Sequence, residues 1–408
     1  MIFQTLDDKQ ECVGIYCNNN LYFDNLDFPK DLSTTWKYSG HLRDRPGIEY
    51  ANLYIGGKDI KEIVPEYLKD DWEDVSRRLS SFRRSLQVAK VNLQDNCLYD
   101  LVPKRFLIEM CEVKNKITEY VLENYQRPER YNYLLKTCQL LEDISHQPLN
   151  INKKKLRAYS LATAEQPGSN RLTGLSPYIK YNQFGTKTGR LTTKEKSFPI
   201  LTLKKGFRDV VNPHNDYFLE LDFNGAEVRV MMGILDMAQP SCDVHKFHAE
   251  NVFGGNISRE EVKKSFFAWL YGSRSAKESP EGKILEKFYD KEVILDKHWD
   301  GKCVHTPFRK KIEDVDEHHA LNYIVQSTAA ELTLLQALKI HHLLQSHKSR
   351  SRITCIIHDA IIIDFDKRDE RLLTSIKKLM SSTKFGEFKI NISKGTNLGN
   401  LKEHHIDG

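Results

Sequence analysis

The chain has 408 residues, of which 29% are charged and 40% are apolar, and 61 Lys and Arg residues against 56 Asp and Glu residues give a net charge of +5. A chain of this length can bury a large core and is ordinarily divided into two or three lobes. It has no stretch close to the roughly 18 consecutive apolar residues of a membrane span, and its first residues lack the features of a signal peptide. We therefore expect a protein of the cytoplasm, or of the host cytoplasm if it is viral, with no membrane partner.

Short strands and then helices are predicted for the first part of the chain. ECVGIYC (11–17) and LYF (21–23) are short runs with strand-forming residues, separated by NNN. From about 58 to 145 apolar residues recur every three or four positions, which predicts helices, for example in RFLIEMCEVKNKITEYVLENY. We predict a strand-rich segment over 1–57 and a helical region over 58–160.

The second part of the chain mixes strands with long helical stretches. DYFLELDF (216–223) reads as a strand and is followed by a helical pattern, GAEVRVMMGILDMA. RITCIIHDAIIIDF (352–365) contains two apolar runs that meet at His358-Asp359, which predicts a hairpin with these polar residues at its tip. Residues 243 to about 346 are mostly helical.

Basic residues are concentrated between Lys180 and Arg208. Eight Lys and Arg residues lie there against one acid, Glu195, and aromatic residues and threonines are interleaved with them. This mixture is typical of segments that bind the phosphates and sugars of nucleic acids. An exposed, solvated basic face is the alternative interpretation.

Two acids are placed at the ends of predicted strands. Asp222 is near the end of FLELD, and Asp359 is at the predicted hairpin tip. A pair of carboxylates held on rigid strands suits Mg²⁺, which binds one or two carboxylates together with waters and substrate phosphates. Strand-terminal acids that simply face water are the alternative.

Four side chains form a stripe on one predicted helix. Arg259, Lys263, Phe267 and Tyr271 follow one another at steps of four residues, and Gly272 comes next. Each step advances about 40° around a helix, so the stripe winds gently and presents two cations before two aromatic rings. That order fits a nucleoside triphosphate, whose phosphates need charged donors and whose base needs a flat apolar surface. An amphipathic helix that packs Phe267 into a core is the competing explanation.

These segments resemble the motifs of family A DNA polymerases, the group that contains bacterial DNA polymerase I. The stripe resembles motif B, DFNGAEVRV resembles motif A, and IIHDA resembles motif C. The matching blocks occur in the family's order: TGRL at 188–191, DFNGAEVRV at 222–230, Asp243-Val244-His245 with Ala249 and Phe253, the stripe at 259–272, ALNYIVQSTAAEL at 320–332 and IIHDA at 356–360. The resemblance implies an α+β right-hand polymerase fold, with an antiparallel palm sheet and a helical thumb and fingers.

The resemblance implies a catalytic role for Asp222, Asp359 and Lys263. The two aspartates would bind two Mg²⁺ ions, with Mn²⁺ as a substitute, and the backbone carbonyl of Phe223 would be a further metal ligand. The incoming dNTP would be bound by residues of motifs A and B: Arg259, Lys263, Phe267, Tyr271, Gly272 and Glu227. Glu227 would occupy the space beside C2′ of the sugar and exclude a ribose hydroxyl.

Further residues would contact the primer and template, which we expect as the DNA partner. They come from four of the blocks: Arg190, Thr188, Arg229, Asn322, Gln326 and His358. Two positions depart from the family pattern. Ala360 replaces the glutamate of motif C, and His318 replaces an arginine that precedes the asparagine by four residues.

The resemblance also implies a domain order. It gives a thumb-like region over 58–160, the first part of the palm over 161–235, fingers over 236–320 and the second part of the palm over 321–408. Residues 1–57 are a candidate remnant of a 3′→5′ exonuclease domain or a docking surface for a separate nuclease. Their predicted strands have no D-x-E pair. We therefore expect a compact, bacteriophage-type polymerase without proofreading, with a separate exonuclease or processivity factor as a candidate partner.

Two alternatives remain. A single-subunit RNA polymerase shares several of these motifs, although Glu227 and Phe267 argue against it. A catalytically inactive polymerase fold that only binds primer-template is the other, and Ala360 is its only support.

Overall fold

A computed structural model describes residues 1–9, 14–23, 27–93, 95–163, 176–272 and 274–405. Residues 11–13 of the predicted strand ECVGIYC and residues 164–175 of the predicted palm lie outside the described residues. The chain divides into two compact units, Met1–His146 and Gln147–Gly408.

The first unit contains a mixed five-stranded sheet. Its strands are β1 (Ile2–Thr5), β2 (Ile15–Cys17), β3 (Asn20–Tyr22), β4 (Thr34–Thr35) and β5 (Glu49–Tyr50). The order is β3-β2-β1-β4-β5, with β1 to β3 antiparallel and β4 and β5 parallel to β1. These are the short strands that the sequence predicts.

Five helices complete the first unit. They are α1 (Ala51–Tyr54), α2 (Ile60–Ile63), α3 (Lys69–Val88), α4 (Lys104–Asn124) and α5 (Tyr131–Ser145). The apolar side of α4 contacts the sheet, and one buried core joins Leu6 and Tyr16 with Phe106 and Ile117. The buried Gln4 side chain in β1 also donates to Thr118 Oγ1 in α4 at 3.1 Å.

The predicted division between residues 1–57 and 58–160 is therefore wrong. A helix with one apolar face must bury that face, and here it does so against the strands that precede it. The strands and α1–α5 form one unit, whereas residues 147–160 belong to the next.

The second unit is built around an antiparallel sheet. Its short outlying strands are β6 (Asn150–Ile151), β7 (Tyr181–Asn182), β8 (Thr192–Thr193), β9 (Val211–Asn212), β11 (Val304–His305), β12 (Lys311–Ile312), β15 (Ser382–Thr383) and β16 (Gly386–Glu387). The main sheet has β10 (Tyr217–Phe223), β13 (Arg352–Ile357), β14 (Ala360–Phe365), β17 (Ile390–Gly395) and β18 (Lys402–Glu403). Its order is β13-β14-β10-β17-β18, and every neighbouring pair is antiparallel.

The alternation of buried and partly buried residues along β10 determines which side chains lie on the open face of the sheet. Leu219, Leu221 and Phe223 are buried, whereas Glu220 and Asp222 are only partly buried. Successive side chains of a strand point to opposite faces, so the two acids share the open face. The predicted hairpin of β13 and β14 is present, with His358 at its tip in a left-handed conformation (φ 56°).

The helices of the second unit surround the sheet and form a helical subregion. They are α6 (Lys153–Thr163), α7 (Ala226–Ile234), α8 (Val244–Asn251), α9 (Arg259–Leu270), α10 (Arg274–Glu278), α11 (Pro280–Phe288), α12 (Lys291–His298), α13 (Glu317–Ser346) and α14 (Leu373–Ser381). The predicted helical fingers over 236–320 are interrupted after His298, because residues 304–312 form the β11–β12 hairpin before α13 begins at Glu317. Across the described ranges, no helix combines the length and apolar character needed to cross a lipid bilayer.

A buried aromatic and histidine cluster supports α9. Phe266 and Trp269 on its inner face pack around Tyr289, and the Tyr289 hydroxyl lies 2.5 Å from His248 Nε2. Burial is the main cause that lowers the pKa of His248 to about 4, so this histidine is neutral at pH 7. The inner face of α9 is therefore committed to packing, and its outer face is left for the cavity described next.

Candidate active site

A cavity of about 480 Å³ lies within the second unit, between the open face of the sheet and α9. Charged and aromatic residues that were expected to act in catalysis or binding line it, among them Arg190, Asp222, Glu227, Lys263, Phe267 and Asp359. These six come from a loop, strand β10, the hairpin tip and two helices. The cavity therefore collects residues that are far apart in the sequence, as the resemblance implies.

Asp222 and Asp359 are brought together by the strand register. Asp222 pairs directly with Ala360, so Asp359, the preceding residue, stands beside it at the hairpin tip. Burial, followed by the charge of Asp359, raises the pKa of Asp222 to about 7. Burial also raises the pKa of Asp359. The repulsion between two carboxylates held this close together falls when a cation binds between them.

These acids fit a magnesium site. Their oxygens are the hard ligands that Mg²⁺ prefers, and the open cavity leaves room for waters and phosphates as further ligands. Phe223 lines the same cavity, next to Asp222. No group of three or more His, Cys, Asp or Glu side chains with metal-binding geometry occurs among the described residues.

The predicted stripe on α9 faces the cavity. Phe267 and Tyr271 are stacked, with ring centroids 5.8 Å apart and planes inclined by 18°. Phe266, not Phe267, fills the core behind the helix, so the competing explanation of the stripe as core packing does not hold. Ser258 and Glu261 form a capping box that fixes the start of α9.

The two cations of the stripe differ in their surroundings. The Arg259 guanidinium donates to Asp243 at 2.9 and 3.0 Å. Although burial alone would raise it, donors led by Arg259 hold the pKa of Asp243 well below its usual range. Within the part of the chain that the structure describes, no ion pair involves Lys263, which is exposed to the cavity.

Glu227 lies beneath the aromatic end of the stripe. The residue is buried, and its carboxylate accepts hydrogen bonds from Arg190 Nη2 at 2.5 Å and from the Tyr271 hydroxyl at 3.2 Å. Burial raises the pKa of Glu227, and Arg190 opposes this effect. Glu227 and Tyr271, both of which the resemblance assigns to the dNTP site, are thus in contact.

The other predicted residues are spread around this centre. His358 lines the cavity, whereas Thr188 is buried and Asn322 and Gln326 are partly buried along α13. Gly272 has φ of 82°, and a β-carbon there would lie 2.8 Å from the His318 ring. The turn after α9 therefore requires glycine, and His318 packs against it.

The prediction that Arg229 contacts DNA is wrong. Its side chain is fully buried, and it donates to three backbone carbonyls, those of Asn224, Pro240 and Cys242, at 2.7–2.9 Å. A buried guanidinium needs such partners to offset its lost hydration. Arg229 joins the start of α7 to the segment before α8 and is structural.

The structure adds residues that the sequence did not single out. Glu220 is a second acid on the open face of β10, and its position two residues before Asp222 was the available signal. Lys310, in the β11–β12 hairpin, has its Nζ 2.7 Å from where a β-carbon on Gly189 would lie. Contacts of this kind depend on the fold rather than on local pattern.

Comparison with known proteins gives matches to DNA polymerases. The family model "DNA polymerase family A" matches residues 304–402, the segment that contains Asp359. That segment therefore resembles family A DNA polymerases. Over 424 aligned residues, it is 24% identical to the DNA polymerase I of Caldicellulosiruptor bescii, covering 81% of this chain and 49% of that protein.

Two further relatives are also DNA polymerases. DNA polymerase I of Aquifex aeolicus is 22% identical, over 82% of this chain and 62% of that protein. The DNA polymerase of Bacillus phage SP01 is 26% identical, over 51% of this chain and 29% of that protein. The chain therefore spans about half to three-fifths of the length of the two DNA polymerase I relatives.

A solved structure confirms the fold of the polymerase domain. The polymerase domain of Pol1 from M. smegmatis, solved in complex with DNA primer-template and dNTP, superposes with a TM-score of 0.59. The match covers 72% of this chain and 76% of that one at 12% identity. The predicted α+β polymerase fold is confirmed.

Proposed function

We propose that the protein is a DNA-directed DNA polymerase that extends a primer 3′-hydroxyl with dNTPs and releases pyrophosphate. One observation carries this proposal: a single cavity sets Asp222 and Asp359 opposite Lys263 and the stacked pair of Phe267 and Tyr271. Phosphoryl transfer needs alignment and charge stabilisation more than covalent chemistry, and these residues supply both.

Asp222, Asp359 and the backbone carbonyl of Phe223 would hold two Mg²⁺ ions, or Mn²⁺ in their place. When bound, the ions would activate the primer hydroxyl and neutralise charge on the phosphates of the nucleotide. The raised pKa of each aspartate supports this assignment, because the ionised pair is stabilised only when positive charge is supplied.

The residues of α9 would bind the incoming nucleotide. Lys263 has no carboxylate partner among the described residues and would be available for the phosphates, while Phe267 would pack against the sugar and base. Arg259 would assist at the phosphates, although it must then loosen its contact with Asp243. Movement of α9 toward the sheet would exclude water from the cavity.

Primer-template DNA would lie along the basic segment and the cavity edge. Arg190 and His358 are at that edge, and Thr188, Asn322 and Gln326 are candidate contacts beside it. Such contacts would be made to the backbone and to groove shape, because a replicative enzyme must accept every sequence.

We also propose that the chain lacks 3′→5′ proofreading. The strands β1, β2 and β3 carry no acidic residue, so the described part of the first unit shows no paired carboxylates on those strands to hold metal ions. A separate exonuclease or a processivity factor would then be a functional partner.

Sugar selection tests this function against the RNA polymerase alternative. On a primed DNA template, we expect the wild type to prefer dNTPs over rNTPs, because the fixed Glu227 carboxylate leaves no room for a 2′-hydroxyl. Glu227→Ala should lower the preference about 100-fold, measured as the ratio of kcat/KM values. Glu250→Ala, at an exposed position on α8, is the matched control and should leave the ratio unchanged. A wild type that favours rNTPs would support the RNA polymerase instead.

A further inference from the structure

The Glu227 carboxylate depends on one charged partner. It is buried at the first turn of α7, and among the described residues Arg190 Nη2 and the Tyr271 hydroxyl donate hydrogen bonds to it. A hydrogen bond from a charged donor is roughly twice as strong as one from a neutral donor. A buried carboxylate that loses its charged partner becomes costly and must move or take up a proton. Arg190 is therefore the partner that keeps Glu227 ionised and fixed in place.

Arg190 is delivered by a tightly held loop between β7 and β8. Thr186 Oγ1 donates to the carbonyl of Arg190 at 2.9 Å, and Gly189 N donates to the carbonyl of Thr186 at 3.2 Å. Gly189 adopts φ of 84°, a left-handed conformation that places Arg190 after a sharp turn. The position of the guanidinium is thus set by the loop and not only by Glu227.

The same guanidinium remains partly open to the cavity. The Arg190 side chain is 39% exposed, whereas that of Glu227 is 6% exposed. A guanidinium has five N–H donors, so it can hold the carboxylate and still offer donors to a nucleic-acid strand. One side chain can therefore contact both the primer-template and the residue beside the sugar.

We propose that Arg190 is a positioning residue for sugar selection, and that it couples this selection to the segment that contacts the primer. The inference rests on the proposed polymerase function. With Arg190 in place, Glu227 and Tyr271 form a rigid wall beside the sugar. Without it, the carboxylate is free to turn away, and the wall admits a ribose hydroxyl.

The test is the discrimination ratio, kcat/KM for a dNTP divided by kcat/KM for the matching rNTP. R190Q should lower this ratio about 10-fold or more. E227Q keeps the size of the acid but loses its charge. The discrimination ratio of the double variant R190Q/E227Q should be no lower than that of the less selective single variant. That non-additivity is expected of two residues that act through one contact.

A role in DNA binding alone gives a different result. It would lower kcat/KM for both nucleotides by the same factor and leave the ratio at the wild-type value, which would overturn the inference. If R190Q extends no primer at all, R190K decides: it keeps a charge that can pair with Glu227, so we expect its ratio to stay above that of E227Q, and a ratio as low as that of E227Q would overturn the inference. A wild type that incorporates no dNTP would instead refute the proposed function itself.

Discussion

Replacing Asp359 or Asp222 with asparagine should reduce primer extension by at least about 1000-fold. Asparagine keeps the size of the side chain but removes the charge that a divalent cation needs. The register that pairs Asp222 with Ala360 places Asp222 and Asp359 side by side in one site, so neither can replace the other. The measurement is the single-turnover rate of adding one dNTP at saturating Mg²⁺.

Stability separates this loss from misfolding. When folding raises the pKa of a carboxyl, the folded protein is most stable at a pH below the pKa of the unfolded state. It loses this stability as the pH rises through the pKa of the folded state. The pKa of Asp222 is raised to about 7, so at pH 8 the metal-free wild type carries this cost. Asp222→Asn should remove it, and its melting temperature at pH 8 without metal should equal or exceed that of the wild type.

The control for both variants is Asp314→Asn. Asp314 is exposed, and its left-handed backbone (φ 54°) is one that asparagine readily adopts. It should retain wild-type extension. Equal extension by the wild type, Asp222→Asn and Asp359→Asn would mean that the activity comes from a contaminant, and would favour the inactive scaffold.

Replacing Lys263 with alanine should reduce the rate of nucleotide addition by about 100- to 1000-fold at saturating dNTP. The Lys263 amine faces the cavity without a carboxylate partner in the described chain. Burial raises the pKa of both Asp222 and Asp359, and the charge of Lys263 opposes this rise. It is thus placed to stabilise charge that develops on the phosphates. Because this charge grows as the bond breaks, the rate should fall more than the affinity for the nucleotide.

The neighbouring lysine provides the matched control. Lys264 is also exposed on α9, but it does not line the cavity. Lys264→Ala should therefore extend primers at nearly the wild-type rate. If Lys263→Ala and Lys264→Ala gave the same rate, the charge of the stripe would have no role in the reaction.

The central strand, the hairpin and the outer face of α9 could be predicted from the sequence because their signals are local. Alternation marks β10, a polar pair between apolar runs marks the hairpin tip, and four-residue steps mark the stripe. The resemblance then related Asp222 to Asp359, which no local pattern does. Their convergence follows from the antiparallel pairing of β10 with β14.

Other features depend on contacts between distant segments, and the sequence did not reveal them. Arg229 fits a motif whose arginine was expected to contact DNA, but the carbonyls of Pro240 and Cys242 meet it only once α7 and α8 are in place. The core that α4 shares with Leu6 and Tyr16 likewise removes the predicted boundary near residue 57. Periodicity shows that a face is apolar but not which partner covers it.

The most direct measurement of the central claim is extension of a primed template by the wild type with each dNTP alone, with Mg²⁺ and after its removal by a chelator. We expect only the dNTP complementary to the template base to be added, and only when Mg²⁺ is present. Addition that ignores the template, or extension that survives removal of the metal, would contradict the assignment of Asp222 and Asp359 as the metal-binding centre of a DNA polymerase.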